Sequence, residues 1–205
     1  MTIDEIQDGQ YFYWGPYLWS NKINDKLSKT LLEKGLKLTE SHNNKLAGQL
    51  DYEKVYDVND RMWFSNEIQP YLQKYISNGF YWYSKFINNR KFYISLESLW
   101  INVMKNGEYN PEHIHDADLS FVIYLEVPDL LKEENKKYVG RSSGPGSIEF
   151  SYGEANQYVV CNHGIFPEKN QIFIFPANLR HMVSPFKSNC ERISVSGNFK
   201  FNFYE

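Results

Sequence analysis

From residue 91 onward, apolar and polar residues alternate with the period of two that is typical of β-strands. This pattern predicts long strands at Lys91–Met104, Leu119–Val127 and Arg192–Phe203. In Leu119–Val127 one face is wholly apolar and the other is mixed, as expected when one side of a sheet packs on helices and the other lines a pocket. Shorter strands are predicted at Ser147–Ser151, Gln157–Cys161 and Gln171–Phe175.

Before residue 91 the spacing of apolar residues is helical. It predicts a first amphipathic helix over about 21–34, with Ser20 as its N-terminal cap. A second helical region begins near Asp60 and meets Pro70, which either kinks this helix or starts a new one. The aromatic opening Tyr11–Tyr17 is typical of an edge strand.

Helices followed by a series of short strands predict a mainly β fold, a β-sandwich or jelly roll with helices packed on one sheet. The aromatic share of 17% agrees with a β-rich core. We expect one domain over 1–205, with a helical support region at 1–90 and a β core at 91–205.

The charge pattern narrows the possible partners. The net charge is −3 and the basic residues are scattered, so neither nucleic acid nor an anionic membrane is an expected partner. No apolar run approaches the roughly 20 residues of a membrane span, and the start does not resemble a signal peptide. Two cysteines without a CxxC motif fit a reducing compartment. We therefore expect a cytoplasmic protein.

Three of the five histidines suggest a metal site. His113 and His115 are two residues apart, so in an extended segment both imidazoles lie on the same side. His181 follows a predicted strand that stops at Pro176. Three imidazoles on one face of a metal ion leave other positions open for a substrate and O₂, and imidazole suits Fe, Zn, Cu or Ni. Two partly exposed loop histidines are the alternative for His113 and His115.

A possible carboxylate-binding group follows these histidines. Arg192 lies eleven positions after His181, with Ser194 on the same strand face. A guanidinium binds a carboxylate through two parallel hydrogen bonds, and hydroxyls from Ser194 and Tyr124 can add to them. A dicarboxylic acid bound in this way would direct its other end towards the metal. The alternatives are an ion pair of Arg192 with Glu191 and a core Tyr124 whose hydroxyl is satisfied.

These motifs resemble a known family. They look like those of the 2-oxoglutarate/Fe(II) oxygenases found in bacteria and in tailed phages, which are relatives of the prolyl 4-hydroxylase-like dioxygenases. The resemblance extends from about Trp100 to Phe203, roughly half of the chain. The motifs are Trp100-x-Asn102, Asn110-Pro111-x-His113-x-His115, Ser120 with Tyr124-Leu125, Phe175-Pro176 with His181, and Arg192-x-Ser194 with Asn198.

The resemblance implies a double-stranded β-helix and a set of site residues. Fe(II) would be held by His113, His115 and His181, and the cosubstrate 2-oxoglutarate by Arg192, assisted by Ser194 and Tyr124. Asn102 and Asn198 would lie near the cosubstrate or the metal. The implied reaction uses O₂ to hydroxylate a C–H bond and produces succinate and CO₂. Its substrate would be a peptidyl residue such as proline or a small molecule, in the host cytoplasm if the protein is phage-encoded.

Several alternatives stay open from the sequence. The familiar His-x-Asp pair is replaced here by His-x-His, so Asp116 is an alternative second ligand. The segment 129–146 is charged and then rich in Gly and Ser, which predicts a mobile lid or a disordered insertion. The alternative function is a non-catalytic cupin-type metal-binding protein, either a sensor or a structural phage component. A hydrolase based on Cys161 and His163 lacks an oriented acid and is disfavoured.

Overall fold

The computed structural model describes residues 15–43, 46–87, 90–154 and 161–204, without the side chains of 78–87. This part of the chain contains three helices, α1 (Asp25–Gly35), α2 (Val58–Ile87) and α3 (Asp129–Lys136). It also contains ten strands. In chain order they are β1 (Trp19–Lys22), β2 (Tyr52–Val55), β3 (Phe92–Met104), β4 (Asn110–His113), β5 (Leu119–Glu126), β6 (Ile148–Ser151), β7 (Asn162–Ile165), β8 (Gln171–Pro176), β9 (Arg180–Val183) and β10 (Arg192–Phe203).

The strands form two antiparallel sheets. The larger sheet has six strands in the order β1-β8-β5-β10-β3-β2, and the smaller has four in the order β4-β9-β6-β7. The non-sequential neighbours mean that the chain crosses repeatedly between the two sheets, as in a jelly roll. The prediction of a mainly β fold with helices packed on one sheet is confirmed.

Helices α1 and α2 cover the outer face of the six-stranded sheet. Leu27 and Leu31 of α1 and Phe64 and Ile68 of α2 are at most 4% exposed and belong to one buried cluster with the sheet. Burying each such side chain contributes roughly 1.5–3 kcal/mol. The strand residues in this cluster are those of the apolar faces predicted from the alternation, among them Leu99, Ile101, Val103, Leu119, Phe121, Ile123, Leu125, Ile193, Val195 and Phe199.

The inner face of the same sheet points towards the four-stranded sheet. A second buried cluster lies there, including Met104 of β3, Val122 of β5 and Phe173 and Phe175 of β8. The opposite wall of this interior comes from the smaller sheet, which contributes Ile148, Phe150 and Val183. Polar residues interrupt the apolar lining of this interior at one end, and this end carries the candidate site.

The N-terminal elements differ in detail from the prediction. The helix predicted over 21–34 begins only at Asp25, because Trp19–Lys22 forms β1, which pairs with β8 at the sheet edge. Its cap is Asn24, not Ser20, and the Asn24 Oδ1 accepts a hydrogen bond of 2.8 Å from the Leu27 N–H. In the predicted edge strand Tyr11–Tyr17, residues 11–14 lie outside the described residues.

The second helix neither ends nor restarts at Pro70. It runs without interruption from Val58 to Ile87, although a proline in a helix interior costs about 3 kcal/mol. Ile68, Leu72 and Tyr75 on either side of the proline are at most 2% exposed against the sheet. Burial of this apolar face offsets the local cost, since packing contributes more to helix stability in proteins than propensity does.

Two predictions for the second half concern segments 129–146 and 157–161. Segment 129–146 is neither uniformly irregular nor without contacts, because it contains α3 and the Asn135 side chain donates hydrogen bonds to the carbonyls of Ser143 and Pro145. Most of the strand predicted at 157–161 lies outside the described residues, and β7 begins only at Asn162. Within the described ranges, no helix is long and apolar enough to cross a membrane.

Candidate metal centre

Three imidazoles meet at the open end of the interior. His113 at the end of β4 lies directly opposite His181 of β9 in the antiparallel register, and a bulge in β4 precedes it. His115 follows β4, and its backbone N–H donates a hydrogen bond of 2.9 Å to the Ala177 carbonyl. One nitrogen atom from each ring lies within 4.8 Å of the other two. This spacing fits three ligands around a single metal ion.

Two of the rings are held in a defined tautomer. The His113 Nδ1 lies 2.7 Å from the Pro111 carbonyl oxygen, and the His181 Nδ1 lies 2.9 Å from the Leu179 carbonyl oxygen. A carbonyl only accepts hydrogen bonds, so the proton of each neutral ring is on Nδ1 and the lone pair is on Nε2. A backbone carbonyl that fixes the tautomer and the ring orientation is the usual second partner of a metal-binding histidine.

Burial keeps two of the imidazoles neutral. Together with a smaller contribution from the neighbouring His113, it lowers the pKa of His115 to about 4 and the pKa of His181 to about 3. Neutral imidazole is the form that binds a metal ion. At neutral pH no proton therefore has to leave these two rings before an ion binds.

Asp116, the alternative second ligand, lies apart from the three imidazoles. Its side chain is exposed, and it does not belong to the group of potential ligand atoms that His113, His115 and His181 form. The bulge lies before His113, between Asn110 and His113, so it does not bring Asp116 towards the histidines. The arrangement favours His115, rather than Asp116, as a metal ligand beside His113 and His181.

Arg192 is a buried cation in the same cavity. It is 2% exposed, its Nη1 donates a hydrogen bond of 2.9 Å to the Gly146 carbonyl, and its Cζ lies 5.2 Å from the centre of the Tyr124 ring. No Asp or Glu of the described residues forms an ion pair with it. The surface ion pair with Glu191 is therefore not observed. A buried charge without a counter-charge is costly.

A polar row extends from Arg192 across the inner face of the sheet. In the register Ser194 of β10 lies opposite Asn102 of β3 on one side and opposite Tyr124 of β5 on the other. All three side chains are at most 5% exposed and line the cavity together with Arg192 and the three histidines. Burial raises the pKa of the Tyr124 hydroxyl, with the nearby Arg192 opposing the effect.

Unsatisfied polar atoms are concentrated in this cavity. Among the described residues, six buried side-chain polar atoms have no hydrogen-bond partner, and four of them belong to residues that line the cavity. Because native proteins leave few such atoms, a cluster of them indicates a site for a polar ligand. The four are Glu53 Oε2, Asn102 Oδ1, Tyr124 Oη and Arg192 Nε.

Comparison with known families agrees with this arrangement. Residues 98–198 match the model of the family described as "Putative 2OG-Fe(II) oxygenase". Over these residues, just under half of the chain, the sequence is similar to the 2OG-Fe(II) oxygenase family. The matched segment contains the three histidines, Arg192 and the polar row on β3, β5 and β10. No curated protein matches the chain.

Several solved structures share the fold of this chain. A prolyl-4-hydroxylase from Pseudomonas putida is 15% identical with a TM-score of 0.55, covering 90% of this chain and 92% of that one. A viral collagen prolyl hydroxylase from Paramecium Bursaria Chlorella virus-1, solved as a 2OG complex, is 14% identical with a TM-score of 0.56 and coverages of 90% and 96%. The likeness confirms the predicted double-stranded β-helix.

A third structure with this fold contains a peptide. It is a prolyl hydroxylase from Trichoplax adhaerens in complex with a peptide fragment of the hypoxia inducible factor oxygen degradation domain. This structure is 12% identical to the present chain with a TM-score of 0.52, and the match covers 90% of this chain and 83% of that one. At such identities the likeness concerns the fold.

One predicted site residue lies apart from the others. Asn198 does not line the cavity, and its Oδ1 accepts a hydrogen bond of 2.7 Å from the Ser120 hydroxyl one strand away. Conversely, Glu53 and Asn110 line the cavity, although the sequence did not mark them as site residues. Asn110 stands in the histidine motif and was within reach of prediction, whereas Glu53 lies in a short polar segment far from it.

Proposed function

We propose that the protein is an Fe(II)- and 2-oxoglutarate-dependent dioxygenase that hydroxylates a C–H bond of its substrate and releases succinate and CO₂. One observation carries the proposal: the buried Arg192 guanidinium has no carboxylate partner among the described residues and shares a cavity with three clustered imidazoles. A metal site alone does not require this cation. An anionic cosubstrate that also reaches the metal does require it.

In this proposal His113, His115 and His181 hold the metal. Their donor atoms fit the ion because neutral imidazoles suit iron and the two Nδ1–carbonyl hydrogen bonds leave Nε2 free to bind. When bound, Fe(II) supplies the activation of O₂ and a binding position for the 2-oxo acid. The chain would contribute the orientation of the three rings and the exclusion of competing ligands.

Arg192 would bind the carboxylate of 2-oxoglutarate that is remote from the metal. The hydroxyl of Tyr124 has no other partner and would donate to the same carboxylate, and Ser194 lies opposite Tyr124 in the sheet. Charge-assisted hydrogen bonds of this kind are about twice as strong as neutral ones. Asn102, next to Ser194 in the row, would contact the middle or the metal-bound end of the cosubstrate.

Apolar walls would keep water away from the reacting atoms. The Phe175 ring lies 4.9 Å from the His181 ring and the Phe150 ring lies 6.1 Å from it, and both phenylalanines are at most 3% exposed. In a dry site, the interactions of charged groups with their ligands are stronger than in water. These walls therefore support both cosubstrate binding and a controlled oxidation.

The fold neighbours favour a peptidyl residue, such as proline, as the substrate, since one of them is bound to a peptide. The reaction is tested by incubating the Fe(II)-loaded protein with 2-oxoglutarate and O₂ and measuring succinate. In a cell lysate, hydroxylated products would be found as +16 Da species by mass spectrometry. Absence of both succinate formation and 2-oxoglutarate binding would contradict the proposal.

The variant Arg192→Ala distinguishes the dioxygenase from the alternative function, a cupin-type metal-binding protein without catalysis. For the oxygenase, this variant should keep its affinity for metal but lose most of its affinity for 2-oxoglutarate, because the guanidinium is the only charged group that would bind the remote carboxylate. If Arg192→Ala leaves the binding of every small acid tested unchanged, the cupin-type function is favoured instead.

A further inference from the structure

A buried glutamate lies in the cavity away from Arg192. Glu53 of β2 is 1% exposed and lies opposite Asn102 of β3, so it continues the polar row of Asn102, Ser194 and Tyr124 to the edge of the sheet. It lines the same cavity as the three histidines. Glu53 lies outside residues 98–198, which match the family model, so that match assigns it no part in cosubstrate binding.

The carboxylate has no partner of its own among the described residues. Its Oε2 is buried without a hydrogen bond, and no ion pair includes it. Gly48 gives it space, because a Cβ at Gly48 would lie 2.6 Å from the Glu53 Oε1. Leaving such a group unsatisfied is costly, so its retention in a cavity points to a ligand that satisfies it.

The surroundings of Glu53 call for hydrogen-bond donors. Both oxygen atoms of a carboxylate accept hydrogen bonds, and neither donates one. Asn102 places a second unsatisfied acceptor, its Oδ1, next to Glu53 in the row, and the Asn110 Oδ1 also approaches Gly48. A ligand group that carries several N–H bonds and a positive charge complements this wall.

The charged residues that line the cavity also favour a positively charged ligand group. Glu53 is the only carboxylate and Arg192 the only permanent cation among the residues that line it. The two lie on strands β2 and β10, which are separated by β3, so these strands are about 10 Å apart across the sheet. Glu53 is also absent from the group of potential metal ligands. None of the described residues supplies a counter-charge to an ionised Glu53, and a bound cation would supply one.

We propose that Glu53 binds a cationic nitrogen group, ammonium or guanidinium, of the substrate, which makes a basic side chain rather than proline the substrate class. This inference rests on the proposed function for its assignment of Arg192 to 2-oxoglutarate. A peptidyl proline ring has neither N–H nor charge to offer Glu53. A lysyl or arginyl side chain has both, attached to a chain of C–H bonds.

The test uses four blocked tripeptides as probes: Ac-Ala-Lys-Ala-NH₂, its uncharged norleucine analogue, Ac-Ala-Arg-Ala-NH₂ and Ac-Ala-Pro-Ala-NH₂. Their affinities for the full chain are measured with Co(II) in place of Fe(II), both with and without 2-oxoglutarate. We expect the lysyl or the arginyl peptide to bind at least about 10-fold more tightly than the norleucine and prolyl peptides, as a charge pair in a desolvated site predicts.

The Glu53 variants then assign this preference to the carboxylate. Glu53→Gln should remove it, and Glu53→Asp, which keeps the charge, should keep part of it, while affinities for Co(II) and 2-oxoglutarate change less than two-fold. Glu126→Gln is the matched control, because it removes a partly exposed carboxylate that pairs with Lys169. Circular dichroism checks that each variant is folded like the unsubstituted protein.

Two results would overturn the inference. One is equal affinity for the basic and norleucine peptides, including no binding of any of them, and the other is a preference that survives in Glu53→Gln. Failure of the proposed function gives a different result, because the protein would then bind no 2-oxoglutarate. The peptide preference would still be measured in its absence.

Discussion

The two faces of the six-stranded sheet are made of the same strands but follow different rules. On the outer face, side chains from β3, β5 and β10 pack against α1 and α2 in an apolar layer. On the inner face, the alternate residues of these strands include Asn102, Tyr124, Ser194 and Arg192, which are equally buried. The side chains of the outer face are apolar and pack against the helices, so contacts within the protein explain why they are buried. The inner face leaves polar atoms without partners.

This difference separates stability from function within one sheet. An apolar side chain that is fully buried stabilises the fold, and its truncation leaves a cavity. A buried polar group without a partner destabilises the fold, and its removal is neutral or stabilising until its ligand is present. Substitutions on the two faces should therefore have opposite signatures in stability and ligand binding.

The largest effect is expected at the metal. His181→Ala removes one of three clustered imidazoles, and we expect the affinity for Co(II) to fall by more than about 100-fold, since even partners of metal ligands contribute 10- to 100-fold. Isothermal titration calorimetry measures it. His163→Ala is the control, because His163 is exposed on β7 and should leave the affinity unchanged. A tight site that persists in His181→Ala would contradict the assignment.

On the outer face, Phe64→Ala should lower the free energy of unfolding by about 3–5 kcal/mol. Phe64 is fully buried and stacks on Phe121 with ring centres 5.5 Å apart. Urea unfolding of the metal-free protein measures the change. At a temperature where the variant is folded, its affinity for 2-oxoglutarate should stay within two-fold of the original. A parallel loss of cosubstrate affinity would mean that the two faces are not independent.

On the inner face, Tyr124→Phe removes a buried hydroxyl that has no hydrogen-bond partner among the described residues. Because none of these residues satisfies that hydroxyl, the free energy of unfolding without ligands should not fall and can rise by about 1 kcal/mol. The affinity for 2-oxoglutarate should fall by about 10-fold or more, as expected for one lost hydrogen bond to a charged group. A variant that is destabilised but binds 2-oxoglutarate normally would place Tyr124 among the structural residues.

A further effect concerns the pH dependence of stability at Glu53. Burial, with a smaller contribution from the negative charge of Glu108, raises the pKa of this carboxyl from 4.5 to about 7. The folded state thus favours the protonated form, so the contribution of Glu53 to stability is greatest below pH 4.5 and is lost as the pH rises through 7. Relative to the original protein, Glu53→Gln should gain about 3 kcal/mol in the free energy of unfolding between acidic and alkaline pH.

Urea unfolding at two pH values, 5 and 8, checks this prediction, with roughly two-thirds of the titration lying between them. Glu126→Gln is again the control, since its carboxylate is partly exposed. A stability difference between Glu53→Gln and the original protein that does not change with pH would mean that the folded state does not favour the protonated carboxyl.

Much of the fold could be predicted because both faces of the central strands are buried. The alternation in Leu119–Val127 and Arg192–Phe203 fixes which side chains face the helices, and the structure has the same division. The spacing of His113 and His115 likewise predicted imidazoles on the same side. The meeting of these two with His181 could be anticipated only from the order of the strands, because it depends on the pairing of β4 with β9.

The missed features are short or depend on distant contacts. β2 has four residues, Tyr-Glu-Lys-Val, and its charged residues are as typical of a solvated loop as of a cavity wall. Only the pairing of Glu53 with Asn102 turns the glutamate inward. Asn198 is the converse case, a residue that was predicted for the site but does not line it. The alternation places it on the inner face, but its amide oxygen already accepts a hydrogen bond from Ser120.

The most direct test of the proposed function is an anaerobic titration of the Fe(II)-loaded protein with 2-oxoglutarate, followed by visible absorption. Chelation of the metal by a 2-oxo acid gives a charge-transfer band, which should saturate in the original protein. In Arg192→Met the apparent affinity should fall by about 30-fold or more, without a loss of stability, because an unpaired buried charge is removed. No band in the original protein, or an equal affinity in Arg192→Met, would contradict the proposed role of the buried guanidinium.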